Sequence, residues 1–284
     1  PHQLINWNPV LIKNCSSNEI HKKCNLIFKK NKNINVIPII KDDESIDFAY
    51  KSHELDKSKV SVVIMAGGFG TRLKDLTLNT PKPMLKIGGK PIIERIINNL
   101  TGCGYKKIYI SVYYLKNIIM DYFKDGTDFD CNIEYIEEEE PLGTFGCLSL
   151  KEFDSEYIFV CNGDLYNKFE IEQLHGSILN KESDFVVATT SFSTAVPYGV
   201  IETQNNIIKN IKEKPTLNFS VAAGQYFFKN KLLKHLDKGK TDAPDFLNTL
   251  LGKNINISTF TLINNWIDIG IPDQLELAND SYED

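Results

Sequence analysis

The sequence predicts an α/β fold: a mostly parallel mixed sheet with helices on both faces, plus a small N-terminal appendage. Three observations carry this expectation. From Val60 to about Thr190, apolar β-branched runs alternate with segments of helical apolar spacing, as strand–helix–strand crossovers require. The strongest strand, Val60-Ser61-Val62-Val63-Ile64-Met65, is almost wholly apolar, as a strand buried on both faces must be. It empties straight into Gly67, Gly68 and Gly70, and such sheets meet their ligands at the carboxyl ends of strands.

Residues 1–56 differ in texture from the rest, being rich in asparagine and lysine. A helix is expected around Ile20–Phe28 and a strand over Asn35–Ile40, followed by Asp42-Asp43-Glu44. The second domain is expected over residues 57–284. Ile92, Ile93, Ile96, Ile97 and Leu100 recur at helical spacing, and Gly102 and Gly104 close that helix. Next come strand Lys107–Val112, a helix around Tyr114–Phe123 and strand Asn132–Ile136. A turn at Pro141–Gly143 precedes a short helix, then strand Tyr157–Val160, a helix near Glu170–Asn180 and strand Asp184–Thr190. Beyond Tyr198 strands dominate: Gly199–Glu202, Ile207–Ile211 and Ser220–Phe228.

The chain has 284 residues and 42% hydrophobic content, ample for a core, and a formal net charge of −5. No basic stripe with interleaved aromatics suggests a nucleic-acid partner. No apolar run reaches the roughly 18–20 residues of a membrane span, and no signal-peptide pattern opens the chain. The expected location is cytoplasmic. The chain begins at Pro1 rather than methionine, so natural sequence is expected to precede it. Six cysteines are scattered without a Cys-x-x-Cys pair and read as buried thiols of a reducing compartment. Self-association into a homo-oligomer stays open.

Glycine lets successive backbone N–H groups face one anion, so Ala66, Gly67, Gly68, Gly70 and Thr71 form a candidate phosphate cradle. Arg72 adds a fork of donors suited to phosphate oxygens. Lys82, between Pro81 and Pro83, has a stiffened backbone. The stretch is neither a Walker loop nor a dinucleotide fingerprint. Asn162-Gly163-Asp164 ends an apolar strand, where a carboxylate suits a hard cation such as Mg2+; an ordinary Asn-Gly turn is the bland alternative. Alternation in Trp266-Ile267-Asp268-Ile269-Gly270 places Trp266 and Asp268 on one strand face. Glu137, Glu138 and Glu139 read as a solvated edge. In Pro141-Leu142-Gly143-Thr144-Phe145-Gly146, Gly143 lets a flat ring lie against bare backbone, and Thr144 and Gly146 open a helix whose N-terminal donors can serve a ligand.

The string Gly67-Gly68-Phe69-Gly70-Thr71-Arg72-Leu73, with Thr77 and Pro81-Lys82-Pro83 in register, resembles the signature of the sugar-1-phosphate nucleotidyltransferases, or nucleoside-diphosphate-sugar pyrophosphorylases. The turn at Leu142 and Gly143 resembles the base-recognition turn of the guanylyl-transferring branch. Phe145 stands where that branch carries alanine, a larger side chain that bears on the pocket's shape. The resemblance implies a Rossmann-like fold and transfer of a nucleoside monophosphate from an NTP, GTP favoured, to a sugar 1-phosphate of mannose or glucosamine type. It implies nucleotide contacts from the glycine loop, Leu142, Gly143, Asn162 and Gly163, and catalytic roles for Arg72 and Lys82. Asp164 and Asp268 would hold Mg2+. Tyr198, Gly199, Glu213, Lys214 and Gly224 match the sugar-phosphate half, with Ala222 in place of an asparagine. Uridylyl or thymidylyl transfer and a non-catalytic nucleotide-sugar sensor are the alternatives. The strand running through Pro38 into an acidic turn resembles one cystathionine-β-synthase-type (CBS) motif, which implies a regulatory nucleotide; a plain linker is the other reading.

Overall fold

The computed structural model describes residues 10–31, 34, 36–51, 55–166, 169–180, 183–262, 267–270 and 272–280. The chain divides into two compact units, Pro1–Leu55 and Asp56–Asp284. The first contains β1 (Ile12–Lys13), α1 (Ser17–Lys30), β2 (Val36–Ile40) and β3 (Ile46–Lys51). β1 runs parallel to β2, and β3 antiparallel to it. Ile20, Cys24, Ile27 and Phe28 share one stripe of α1 and cover Ile12, Ile37, Ile39 and Tyr50 of the sheet. That stripe spaces its apolar groups at helical intervals, which is why the segment winds.

The second unit opens with β4 (Val60–Met65), the hairpin β5 (Lys86–Ile87) and β6 (Lys90–Pro91), then α2 (Ile92–Gly102), β7 (Lys107–Val112), α3 (Lys116–Phe123) and β8 (Asn132–Glu137). The one-turn α4 (Gly143–Gly146), β9 (Tyr157–Asn162), β10 (Leu165–Tyr166), α5 (Ile171–Asn180) and β11 (Phe185–Ala195) follow. Then come β12 (Val200–Gln204), β13 (Ile207–Lys212), β14 (Thr216–Lys229), α6 (Ala243–Gly252), β15 (Ile257–Thr261), β16 (Ile267–Asp268) and α7 (Pro272–Asp280). Seven strands form one sheet in the order β15-β11-β14-β9-β4-β7-β8. β9, β4, β7 and β8 are mutually parallel; β14 is antiparallel to both β9 and β11. The expected mostly parallel mixed sheet is therefore present.

From β4 the chain steps outward to β7 and β8, then returns to lay β9 on β4's other side. The order reverses at β4, and the carboxyl ends of β4, β7 and β9 form the crevice that such a reversal opens. The core on one sheet face is aromatic. Phe145, fully buried, packs against Tyr226, Phe246, Phe228 and Phe185 with ring centroids 5.1, 5.3, 5.9 and 6.2 Å away. β11 and β14 continue past the sheet as a two-stranded ribbon, with Phe192 paired to Phe219 and both about half exposed. Among the described residues no helix is long and apolar enough to cross a membrane.

Phe145→Ala should lower stability by about 3–5 kcal/mol, as truncation of a buried aromatic does; a urea unfolding midpoint measures it.

Candidate active site

Met65, the last residue of β4, pairs with Ser111 on β7 and Asn162 on β9. Beyond it lies a cleft of about 250 Å3, lined by Met65, Ala66, Gly68, Gly70, Thr71, Arg72, Lys82, Pro83, Asp164 and Gly270. Residues some hundred positions apart in the sequence thus meet at one strand end. They combine a glycine loop, two cations and a carboxylate.

Local rules place each group. Gly70 takes φ 64°, a left-handed conformation that glycine adopts without steric cost. A Cβ there would lie 3.0 Å from both Lys82 Cβ and Thr77 Cγ2, so the loop packs directly on the lysine stem. Leu73 N–H donates to Gly70 O at 2.9 Å. The Thr77 hydroxyl donates to Gly70 O at 3.0 Å and Lys74 O at 3.2 Å, closing the turn. Arg72 sits on this turn, exposed, and forms no ion pair with a described residue. Lys82 begins a 3-10 turn (Lys82–Met84) directly after Pro81 and is 8% exposed.

Lys82 Nζ pairs with Asp164 Oδ2. The other oxygen, Asp164 Oδ1, is buried and has no hydrogen-bond partner among the described residues. A buried carboxylate oxygen left bare is costly, and Asp164 is one of the residues that line the cleft. Gly163 N–H donates to Met65 O at 2.9 Å, which locks the Asn162-Gly163-Asp164 corner onto the end of β4. β16 lies antiparallel to β10 with Asp268 opposite Leu165, and Ile269 N–H donates to Asp164 O at 3.1 Å. The backbones of Asp164 and Asp268 are thus neighbours. Asp268's side chain and Trp266 lie outside the described residues. Among the described residues, no three His, Cys, Asp or Glu side chains converge as a ready-made metal cage. A buried carboxylate oxygen beside the cleft is the kind of hard donor that Mg2+ takes together with phosphates and water, so Asp164 fits that ion.

The turn after β8 departs from expectation twice. The expected helix N-terminal donors are already engaged. Phe145 and Gly146 N–H both donate to Thr241 O, at 2.9 and 3.1 Å, and Thr144 N–H donates to Asp242 Oδ1 at 3.2 Å. Gly143, at φ 73°, has no room for a Cβ, which would come 2.4 Å from Asp242 Oδ1. Thr144 and Gly146 therefore anchor the turn on residues 239–242 rather than serve a ligand through those donors. The Phe145 ring lies in the core, so it does not itself fill the ligand side of the turn.

The solvated-edge reading holds for Glu137 and Glu139 but fails for Glu138, which is 6% exposed. Ser111 Oγ donates to Glu138 Oε1, and Leu142 N–H donates to Oε2 at 2.9 Å. A Cβ on Gly67 would lie 2.9 Å from Oε1. This carboxylate therefore sits between the glycine loop and Leu142. The signal was present in the alternation: Glu138 is two residues past buried Ile136 and falls on the same strand face.

Glu213 lies against Gly199, where a Cβ would come 3.1 Å from Glu213 Oε2. Tyr198, Gly199, Glu213 and Lys214 gather at the open end of the β12–β13 hairpin and do not line the cleft. Gly224, at φ 68°, packs on Asn162, whose Nδ2 would lie 2.6 Å from a Cβ. Neither buried thiol near the crevice is a ready nucleophile: burial pushes Cys147 up to about 12, and Cys161 is also raised, chiefly by burial.

The family model for nucleotidyl transferases matches residues 61–284. A mannose-1-phosphate guanyltransferase of Gibberella zeae is 30% identical over 220 residues, covering 74% of this chain and 60% of that protein. The bifunctional protein GlmU of Methanococcus maripaludis is 36% identical over 236 residues, covering 78% of this chain and 54% of GlmU. The chain spans little more than half the length of these curated relatives. The crystal structure of HddC from Yersinia pseudotuberculosis complexed with GMP-PN matches with a TM-score of 0.62 and 27% identity, covering 78% of this chain and 99% of HddC. Since the family match takes in the strand, the glycine loop and both aspartates, the chain belongs to the nucleotidyl transferase family.

Proposed function

We propose that the chain transfers a nucleoside monophosphate from a nucleoside triphosphate, GTP favoured, to a sugar 1-phosphate, releasing pyrophosphate. The observation that carries this reading is the convergence of the glycine loop, Arg72, Lys82 and Asp164 on one cleft. An oxygen of the sugar phosphate attacks the α-phosphorus, and the bond from that phosphorus to the bridging oxygen of pyrophosphate breaks. The attacking oxygen is already anionic near neutrality, since the second pKa of such a phosphate is about 6. No general base is required. The task is to align two anions and to offset the charge that develops on the leaving group.

The loop amides and Arg72 would hold the β- and γ-phosphates, and Lys82 would turn from Asp164 to the α-phosphate. Asp164 and Asp268 would hold Mg2+, which supplies Lewis-acid charge neutralisation when bound. Glu213 and Lys214 would reach the acceptor sugar and its phosphate. The GTP preference rests on the resemblance of the Leu142–Gly143 turn to that of the guanylyl-transferring branch. The names of the guanyltransferase relatives support the same base, with mannose 1-phosphate the leading acceptor; a glucosamine-type sugar is the next acceptor that the sequence resemblance implies. In the N-terminal unit, the β-α-β-β order supports a CBS-type element that binds a regulatory nucleotide. A cytoplasmic location suits the six free cysteines.

Pyrophosphate release from a matrix of four nucleoside triphosphates and several sugar 1-phosphates tests the proposal; no release from any pair would remove it. Asp164→Asn should abolish release while the far-UV circular dichroism spectrum stays that of the folded wild type. Arg72→Ala should lower kcat/KM by about 2–4 kcal/mol, as loss of a preorganised charge donor does.

A further inference from the structure

We infer that Phe69 is a positioning residue that pre-orders the glycine loop for the triphosphate by wedging its ring against Tyr113 and Tyr114. The inference rests on the nucleotide reading of the loop given above. Of the five loop residues Ala66-Gly67-Gly68-Phe69-Gly70, only Phe69 carries a side chain larger than a methyl group. Its ring is 44% exposed, yet it is not idle. It meets Tyr113 edge-on, with centroids 5.6 Å apart and planes at 89°, and Tyr114 at 5.3 Å and 49°. The first is the edge-to-face arrangement that aromatic pairs favour, and the second is a tilted contact within the usual centroid range.

The platform is itself tied down. Tyr114 Oη donates to Leu78 O at 2.8 Å, just beyond the turn that bears Arg72. Tyr113 also closes the space beside Gly67, where a Cβ would lie 3.3 Å from Tyr113 Cβ. Gly68, in contrast, has nothing within 4 Å of that position. Three glycines make this loop costly to order at the moment of binding. A ring held from outside meets part of that cost in advance, without touching the ligand.

The test uses hydrogen exchange on the ligand-free full chain and steady-state kinetics on wild type, Phe69→Ala and Phe69→Tyr. In Phe69→Ala, loop amides should exchange about tenfold faster and KM for the triphosphate should rise about tenfold. kcat and KM for the sugar 1-phosphate should hold, and Phe69→Tyr should restore wild-type values. Wild-type exchange rates in Phe69→Ala, or an equal rise in both KM values, would overturn the inference. The exchange measurement needs no turnover. If wild type processed no substrate pair, the proposed reaction would fall while the exchange result still decided the role of the ring.

Discussion

Parallel pairing of β4 with β9 is the constraint on which the site depends. With Met65 set opposite Asn162, the glycine loop and the Asn162-Gly163-Asp164 corner leave the sheet side by side, and the Gly163 N–H to Met65 O bond fixes their spacing. The Lys82–Asp164 ion pair then spans the two segments with both side chains largely buried. Such a pair seldom adds much stability once desolvation is counted. In the proposed reaction it serves as a standing arrangement of opposite charges whose partners an anionic substrate and its cation would exchange.

The site proposed here works by collecting charge. Its cations come from a short stretch, Arg72 and Lys82, while its carboxylates come from strand ends far along the chain. The two sets meet where the strand order reverses, at β4. A reversal is the place where neighbouring strands send their following loops apart, leaving room for a ligand between them. The engaged turn at Leu142–Gly146 is held by backbone packing on residues 239–242, and Glu138 joins it to the loop.

Much of this was legible from residues alone. Strand Lys107–Val112 and helix Ile92–Gly102 follow directly from apolar spacing, and Gly70 is required by its left-handed φ. What escaped was non-local. No local pattern marks β3 or α6 as strongly as the buried runs, and α6 owes its place to packing of Phe246 and Leu250 on the aromatic core. Glu138 escaped because a run of four glutamates masks a single inward position. The engaged donors of Thr144 and Gly146 escaped because their acceptors lie almost a hundred residues downstream.

That last arrangement has a consequence for how the molecule comes into being. The turn is stapled in both directions to Thr241, since Thr241 N–H also donates to Leu142 O at 2.9 Å. Gly270 lines the cleft too, and Ile269 N–H donates to Asp164 O, so both the turn and the cleft wait on segments that leave the ribosome well after β9. Domains generally fold as units, and here the strand end that bears the glycine loop is completed only once the chain beyond Thr241 has joined it.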